Sequence, residues 1–219
     1  MNKDVLINCK VEDVIEFGSL PRNLIRDKEL IKKLEGLNPQ TSVFNYEGKK
    51  YYQDKEIKHA TGDVKFFDIA PAKWLVLEKT KNLLTITAAE ISVCHHPQYL
   101  FEFINSTMMN LAFDKGEKKL FKVDYDPERG VYYGDIPTVK EIQRYNLDKQ
   151  IPNVTDFGKK MQFVDYKWNA ADTEHNFWCH SNTIAAMWLE DGIYKPGTCP
   201  GLPFFGARPI LKIDLRKVK

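Results

Sequence analysis

The run Lys73-Trp74-Leu75-Val76-Leu77-Glu78-Lys79-Thr80-Lys81-Asn82-Leu83-Leu84-Thr85-Ile86-Thr87 reads as the centre of a sheet. Trp74 to Leu77 and Leu83 to Ile86 carry the large apolar and β-branched side chains that suit a pleated, packed surface. The polar stretch Lys79 to Asn82 joins them as the turn of a hairpin. A strand with one wet face alternates apolar with polar residues. These arms are apolar almost without interruption, so both faces of the hairpin are expected to be covered. Trp74 belongs to the core on this reading.

Upstream, Val64 to Ile69 forms a further strand, ahead of Pro71. Val43 to Tyr46, the pair Glu47-Gly48 and Lys49 to Tyr52 read as a second hairpin. Residues 53 to 62 are polar and read as loop. At the start, Val5, Ile7, Cys9 and Val11 alternate, and Val14, Ile15 and Phe17 follow. These residues predict one or two strands, closed by Gly18-Ser19-Leu20-Pro21. Asp27 is placed to cap a helix carrying Leu30, Ile31, Leu34 and Leu37, which stops at Asn38-Pro39. Downstream, Phe101, Ile104, Met108, Leu111 and Ala112 recur at helical spacing, with Met108-Met109 as packing residues. Asp114/Glu117 and Thr138/Glu141 have capping-box spacing and open two short helices. Residues 123 to 135 read as an exposed connection. No repeat, low-complexity tract or composition break marks a linker. The expected architecture is a single α+β domain over residues 1–219, with mixed, mostly antiparallel sheets and a few short helices.

Composition narrows the class of function. A chain of 219 residues buries about 70% of its extended surface without disulfide staples. The 32 basic and 30 acidic residues nearly cancel, which gives no global drive toward nucleic acid or a membrane surface. No apolar run has the length of a membrane span or the form of a secretory signal, so a cytoplasmic location is expected. Cys9, Cys94, Cys179 and Cys199 are irregularly spaced and are expected to be reduced thiols.

Functional chemistry concentrates in Asp172 to Leu215, DTEHNFWCHSNTIAAMWLEDGIYKPGTCPGLPFFGARPILKIDL. Its end, Gly206-Ala207-Arg208-Pro209 followed by Ile210, Leu211, Ile213 and Leu215, reads as a closing strand with Arg208 hydrogen-bonded internally. Before it lies a long loop region, about 165–205, dense in aromatics and amides. His175, Asn176, Trp178, His180, Asn182, Trp188 and Tyr194 are its candidate ligand-binding residues, because aromatic rings give large contact areas and amides and imidazoles give directional hydrogen bonds. Trp178 and Trp188 are also candidates for the core. A competing reading is an enzyme built on a thiol or a metal around Cys179-His180 or Cys94-His95-His96. His175 and Cys179 have zinc-ligand spacing, which His95 or His96 would complete from a neighbouring loop, but no CxxC pair is present. No phosphate-cradling glycine loop occurs. The tyrosine-bearing basic segment Lys49-Lys50-Tyr51-Tyr52 is the one place suited to stacking on single-stranded nucleic acid, a partner not expected for a chain of balanced charge. No cofactor is expected.

Several of these words together resemble a family. Ile15-Glu16-Phe17-Gly18-Ser19-Leu20-Pro21, then Phe66 to Glu78 with its Pro71 and Lys73-Trp74, then Phe103-Ile104-Asn105 through Ala112-Phe113 and Glu117, then Phe177-Trp178-Cys179-His180-Ser181, and finally Gly206-Ala207-Arg208-Pro209-Ile210-Leu211 stand in the order of an uncharacterised bacterial and phage family, domain of unknown function six-two-seven-three. The resemblance runs from about Ile15 to Leu215. Leu20 replaces the family's Tyr, and Cys179-His180 replaces its Leu-Arg, so any contact made by that Arg is absent or replaced here. More remotely, the closing words are similar to those of C-type-lectin-like and formylglycine-generating-enzyme-like domains. That likeness implies a compact α+β domain whose terminal strands pair near the centre and whose long loops bind. The oxidase-type enzymes of that fold use a cysteine pair or copper near the C-terminus. Cys179 and Cys199 are the only candidates here, and their spacing gives such a role no specific support. The expectation is a non-enzymatic module recognising a protein or glycan, with a thiol or metal enzyme and a component of a phage or larger assembly as the other classes. Oligomeric state is left open.

Overall fold

The computed structural model describes residues 3–54, 64–92, 94–95, 99–162, 177–180, 184–190, 193–197 and 205–218. The first half of the chain forms α1 (Lys3–Asn8), β1 (Val14–Leu24), α2 (Lys28–Gly36), β2 (Val43–Tyr46), β3 (Lys49–Asp54), β4 (Lys65–Lys79), β5 (Leu83–Ala88), β6 (Glu90–Ile91) and β7 (Cys94–His95). There follow α3 (Leu100–Phe103), a π-helical turn (Ile104–Met108), α4 (Met109–Ala112), α5 (Lys115–Lys118), β8 (Asp124–Asp126), β9 (Gly130–Tyr132), β10 (Gly134–Asp135) and α6 (Val139–Arg144). The remainder holds β11 (Asn153–Val154), α7 (Asp156–Gln162), β12 (Phe177–His180), β13 (Ile184–Glu190), β14 (Ile193–Gly197), β15 (Phe205–Gly206) and β16 (Ile210–Asp214).

Everything is hung on β4, which is 15 residues long. Phe67 pairs with both Leu24 of β1 and Tyr52 of β3, and Trp74 pairs with both Ile15 of β1 and Ala88 of β5. A strand has two edges, so β1 runs along one edge while β3 and β5 share the other, end to end. Pro71, which has no N–H to give, falls between the β3 and β5 pairings, where a missing donor costs least. The sequence reading split β4 at this proline; the structure joins the halves because Pro71 sits in the gap between neighbours. Beyond β5 lie β16 and β10, all antiparallel. β16 lies inside the sheet between β5 and β10, whereas β1 is paired with β4 alone among the described strands, so the two flank the β4–β5 pair and do not meet at the centre as the likeness implied.

Side chains of β4 alternate between two cores. Trp74 and Val76 join a cluster with Leu84, Ile86, Ile104, Met108 and Phe113 on one face. Leu75 and Leu77 join Phe177, Cys179, Met187 and Tyr194 on the other. Hence the unbroken apolar run: a helical layer covers one face and a second sheet, ordered β14-β13-β12-β15-β7, covers the other. Trp74 is buried and donates its Nε1–H to Phe17 O at 2.7 Å. A third, small cluster holds α2 against the β2–β3 end through Leu34, Tyr51 and Phe66.

Three local expectations are corrected. Residues 3–8 form a helix, not a strand, because Val5, Leu6 and Cys9 share one helical face and pack inward. Ile7 and Val11, the other members of the apparent alternation, are exposed. Gly18 and Pro21 do not end β1. They stand at register shifts, between Glu16 and Ser19 and between Pro21 and Leu24, so the strand bends and continues. Gly18 takes φ +69°, and a Cβ there would lie 2.5 Å from Ala112 O. The connection 123–135 contains the β8–β9 hairpin and places β10 beside β16. The turn of the 43–52 hairpin has φ 47° at Glu47 and 76° at Gly48, as a primed turn requires. Asp27 caps α2, and Asp114/Glu117 and Thr138/Glu141 form both predicted capping boxes.

Candidate functional site

The described residues of the 165–205 region lie in the second sheet. Phe177 of β12 pairs with Met187 of β13, Trp178 with Ala186, Cys179 with Ala185, and Trp188 with Lys195 of β14. Phe177, Cys179, Met187 and Tyr194 are buried against the main sheet. Trp178 and His180 hold the intervening positions of β12. Tyr194 lies in this core, with its ring 5.0 Å from that of Phe177, edge to face. His175, Asn176 and Asn182 lie outside the described residues, as do His96 and Cys199.

Register decides how the Cys–His words relate. β15 lies between β7 and β12, with Gly206 opposite Cys94 on one side and Phe177 on the other. β7 runs antiparallel to β15 and β12 runs parallel to it, so the two words diverge from that row. His95 and His180 are four rows and two strand spacings apart, which puts their Cα atoms about 16 Å from each other. One zinc ion cannot hold both. No group of three His, Cys, Asp or Glu suited to a metal occurs among the described residues. Burial pushes the Cys179 thiol up to about 11, so it stays protonated at neutral pH. An activated nucleophile needs the opposite shift. Tyr51 is buried, and Tyr52 packs edge to face on Phe157, so the hairpin tyrosines are engaged inside.

Where the chain passes from one sheet to the other, two segments run side by side. Residues 88–92 lead out of the main sheet, and residues 206–210 lead back. The hydroxyl of Thr87 donates to Arg208 O at 3.0 Å, and Arg208 Nε donates to Ala88 O at 3.1 Å. The Arg208 guanidinium sits over the Phe177 ring, 5.1 Å from its centroid, and the residue is 1% exposed. Burial lowers its affinity for a proton to a pKa of about 10, and raises that of Tyr194 to about 12. Internal bonding of Arg208 was expected from the sequence. That no ion pair among the described residues includes it was not, because no local pattern reports it. Nearby, Glu90 accepts from Arg22 at 2.6 Å and Lys73 at 3.2 Å.

A groove of about 550 Å³ opens between the β1 bulge, the β2–β3 hairpin and the α4–α5 corner. Its size is that of a small-ligand site. Glu16, Ser19, Lys50, Asn110, Asp114 and Glu117 supply its polar groups. Asp114 and Glu117 are occupied in part by their mutual capping bonds. Sequence reasoning missed this groove because its walls come from segments about 90 residues apart with no shared local pattern.

No family model matches the chain, and no curated protein or solved structure matches it either. No helix among the described residues is long and apolar enough to cross a membrane.

Proposed function

We propose that the chain is a non-enzymatic recognition module, C-type-lectin-like in design, that meets a protein or glycan through the 165–205 region. The observation that supports this is the anchoring of the second sheet. Its inner positions Phe177, Cys179, Met187 and Tyr194 are core, so the connecting segments spring from a rigid base. Binding surfaces are commonly built in this way, on loops positioned by a packed scaffold. On this reading the intervening positions 178, 180 and 188, with His175, Asn176 and Asn182, carry the contacts. The same anchoring sequesters the thiol that an enzyme would need. The test is a comparison of wild type with His175→Ala/His180→Ala/Asn182→Ala in lysate capture and on a glycan array. A protein or glycan bound by the wild type and lost in the triple variant supports the reading. A ligand bound equally by both removes these three residues from the site.

A further inference from the structure

The six arginines of the chain show an inverted pattern. Arg22 pairs with Glu90, Arg26 with Asp156, Arg129 with Asp135, Arg144 with Glu78 and Arg216 with Asp214. Their side chains are 24–72% exposed, where water alone would satisfy the charge. Arg208 is 1% exposed, and no described ion pair includes it. Charge that is taken from water is normally returned to a counter-charge, because a lone buried ion is among the most costly groups a fold can hold. Here the chain gives carboxylates to the arginines that need them least.

The immediate surroundings sharpen the point. A guanidinium has five N–H donors. Nε is taken by Ala88 O, and Phe177 covers one face of the plane. Tyr194, packed on Phe177, faces the same charge and supplies no anion at neutral pH. Nη1 is buried and has no hydrogen-bond partner among the described residues. A planar fork fixed at Nε, with a buried outer nitrogen left without a partner among the described residues, matches the geometry of a carboxylate or phosphate.

We propose that Arg208 is the charged half of an oxyanion site at the seam between the two sheets, taking a carboxylate or phosphate group at Nη1. The site stands on its own geometry and does not depend on whether the 165–205 region binds a partner. An anion held there bonds a side chain that itself ties residue 208 to Ala88 at the end of β5, and so adds to the fastening of the second sheet to the first.

The test is the thermal unfolding midpoint of the purified protein in sodium formate and in sodium phosphate, each against sodium chloride at equal ionic strength. Wild type, Arg208→Met and Arg216→Met are compared. Ligand that binds only the folded state raises the midpoint with the logarithm of its concentration once above Kd. The expected result is that rise in wild type and Arg216→Met, and a flat response in Arg208→Met. A larger effect of formate or of phosphate identifies which oxyanion the site prefers. Parallel responses of wild type and Arg208→Met overturn the proposal, as does a flat response in wild type. Should Arg208→Met not fold, calorimetric titration of wild type and Arg208→Lys decides. The lysine variant loses the fork and is expected to bind about ten-fold more weakly or worse. No saturable heat in wild type, or equal affinity in both, overturns the proposal.

Discussion

A methyl group at Gly18 would meet Ala112 O at 2.5 Å and the Phe113 ring at 2.6 Å, on a backbone at φ +69°. Strain in the left-handed region and overpacking act together, so Gly18→Ala is expected to cost about 2–4 kcal/mol in urea unfolding. Gly48, also at positive φ, has open space at its Cβ position and should tolerate alanine better. Cys179 makes a prediction about pH. Its folded pKa is raised from 9.0 to about 11, so the folded state holds the proton more tightly than the unfolded chain. Tyr194 behaves alike, raised from 10.0 to about 12. The stability this represents is complete below about pH 9 and is lost as pH climbs through the folded values. Urea midpoints across the alkaline range should fall, and fall less steeply in Cys179→Ser/Tyr194→Phe. Iodoacetamide at pH 8 should leave Cys179 unmodified in the native protein and alkylate it on unfolding, which peptide mapping would show.

At the scale of elements, one side chain fastens the helical layer to the sheet. Asn105, in the π-helical turn, donates to Phe101 O and Gly134 O, both at 2.9 Å, and accepts from Tyr133 N at 2.7 Å and Gly134 N at 3.2 Å. It substitutes for a strand alongside β10. Asn105→Ala leaves partly buried backbone groups unbonded and is expected to cost about 2–3 kcal/mol. Asn105→Asp, which keeps both acceptor bonds and forfeits both donors, should fall between, by the same denaturation assay. Elements of this kind were legible only where one residue or one period decides them. The capping boxes and the 43–52 hairpin were readable from local chemistry. The β4–β5 hairpin was readable because two covered faces leave an unbroken apolar run. Gly18, Pro21 and Pro71 misled because bulge, gap and terminus use the same residues. In α1, the pairs Val5/Ile7 and Cys9/Val11 mimic a strand over too few residues for the helical period to show. The candidate site was legible as a stretch of chain and not as a geometry. Neither the divergence of the two Cys–His words nor the burial of Arg208 without an ion pair among the described residues has a signature within any one segment.

For the whole molecule, one sheet between two cores predicts where unfolding begins. Val76, Ile86 and Leu211 lie on strands with a neighbour on both sides and core contact, so their amides should exchange last, through global opening. The β8–β9 hairpin, with Tyr125 and Val131 exposed, should exchange first. Hydrogen exchange by mass spectrometry over 70–88 and 123–133 checks both. Equal rates would mean that the hairpin opens only together with the central strands, through one shared barrier, and would overturn this order. The position of β16 has a consequence during synthesis. Thr87 is separated from its partner Ile210 by 123 residues. At roughly 5–20 residues per second, β5 therefore waits on the order of 6–25 s on the ribosome with one edge bare and apolar. Through that interval the nascent chain presents an adhesive flank to every neighbouring polypeptide, and its yield in the cell is expected to depend on how quickly a chaperone reaches that flank.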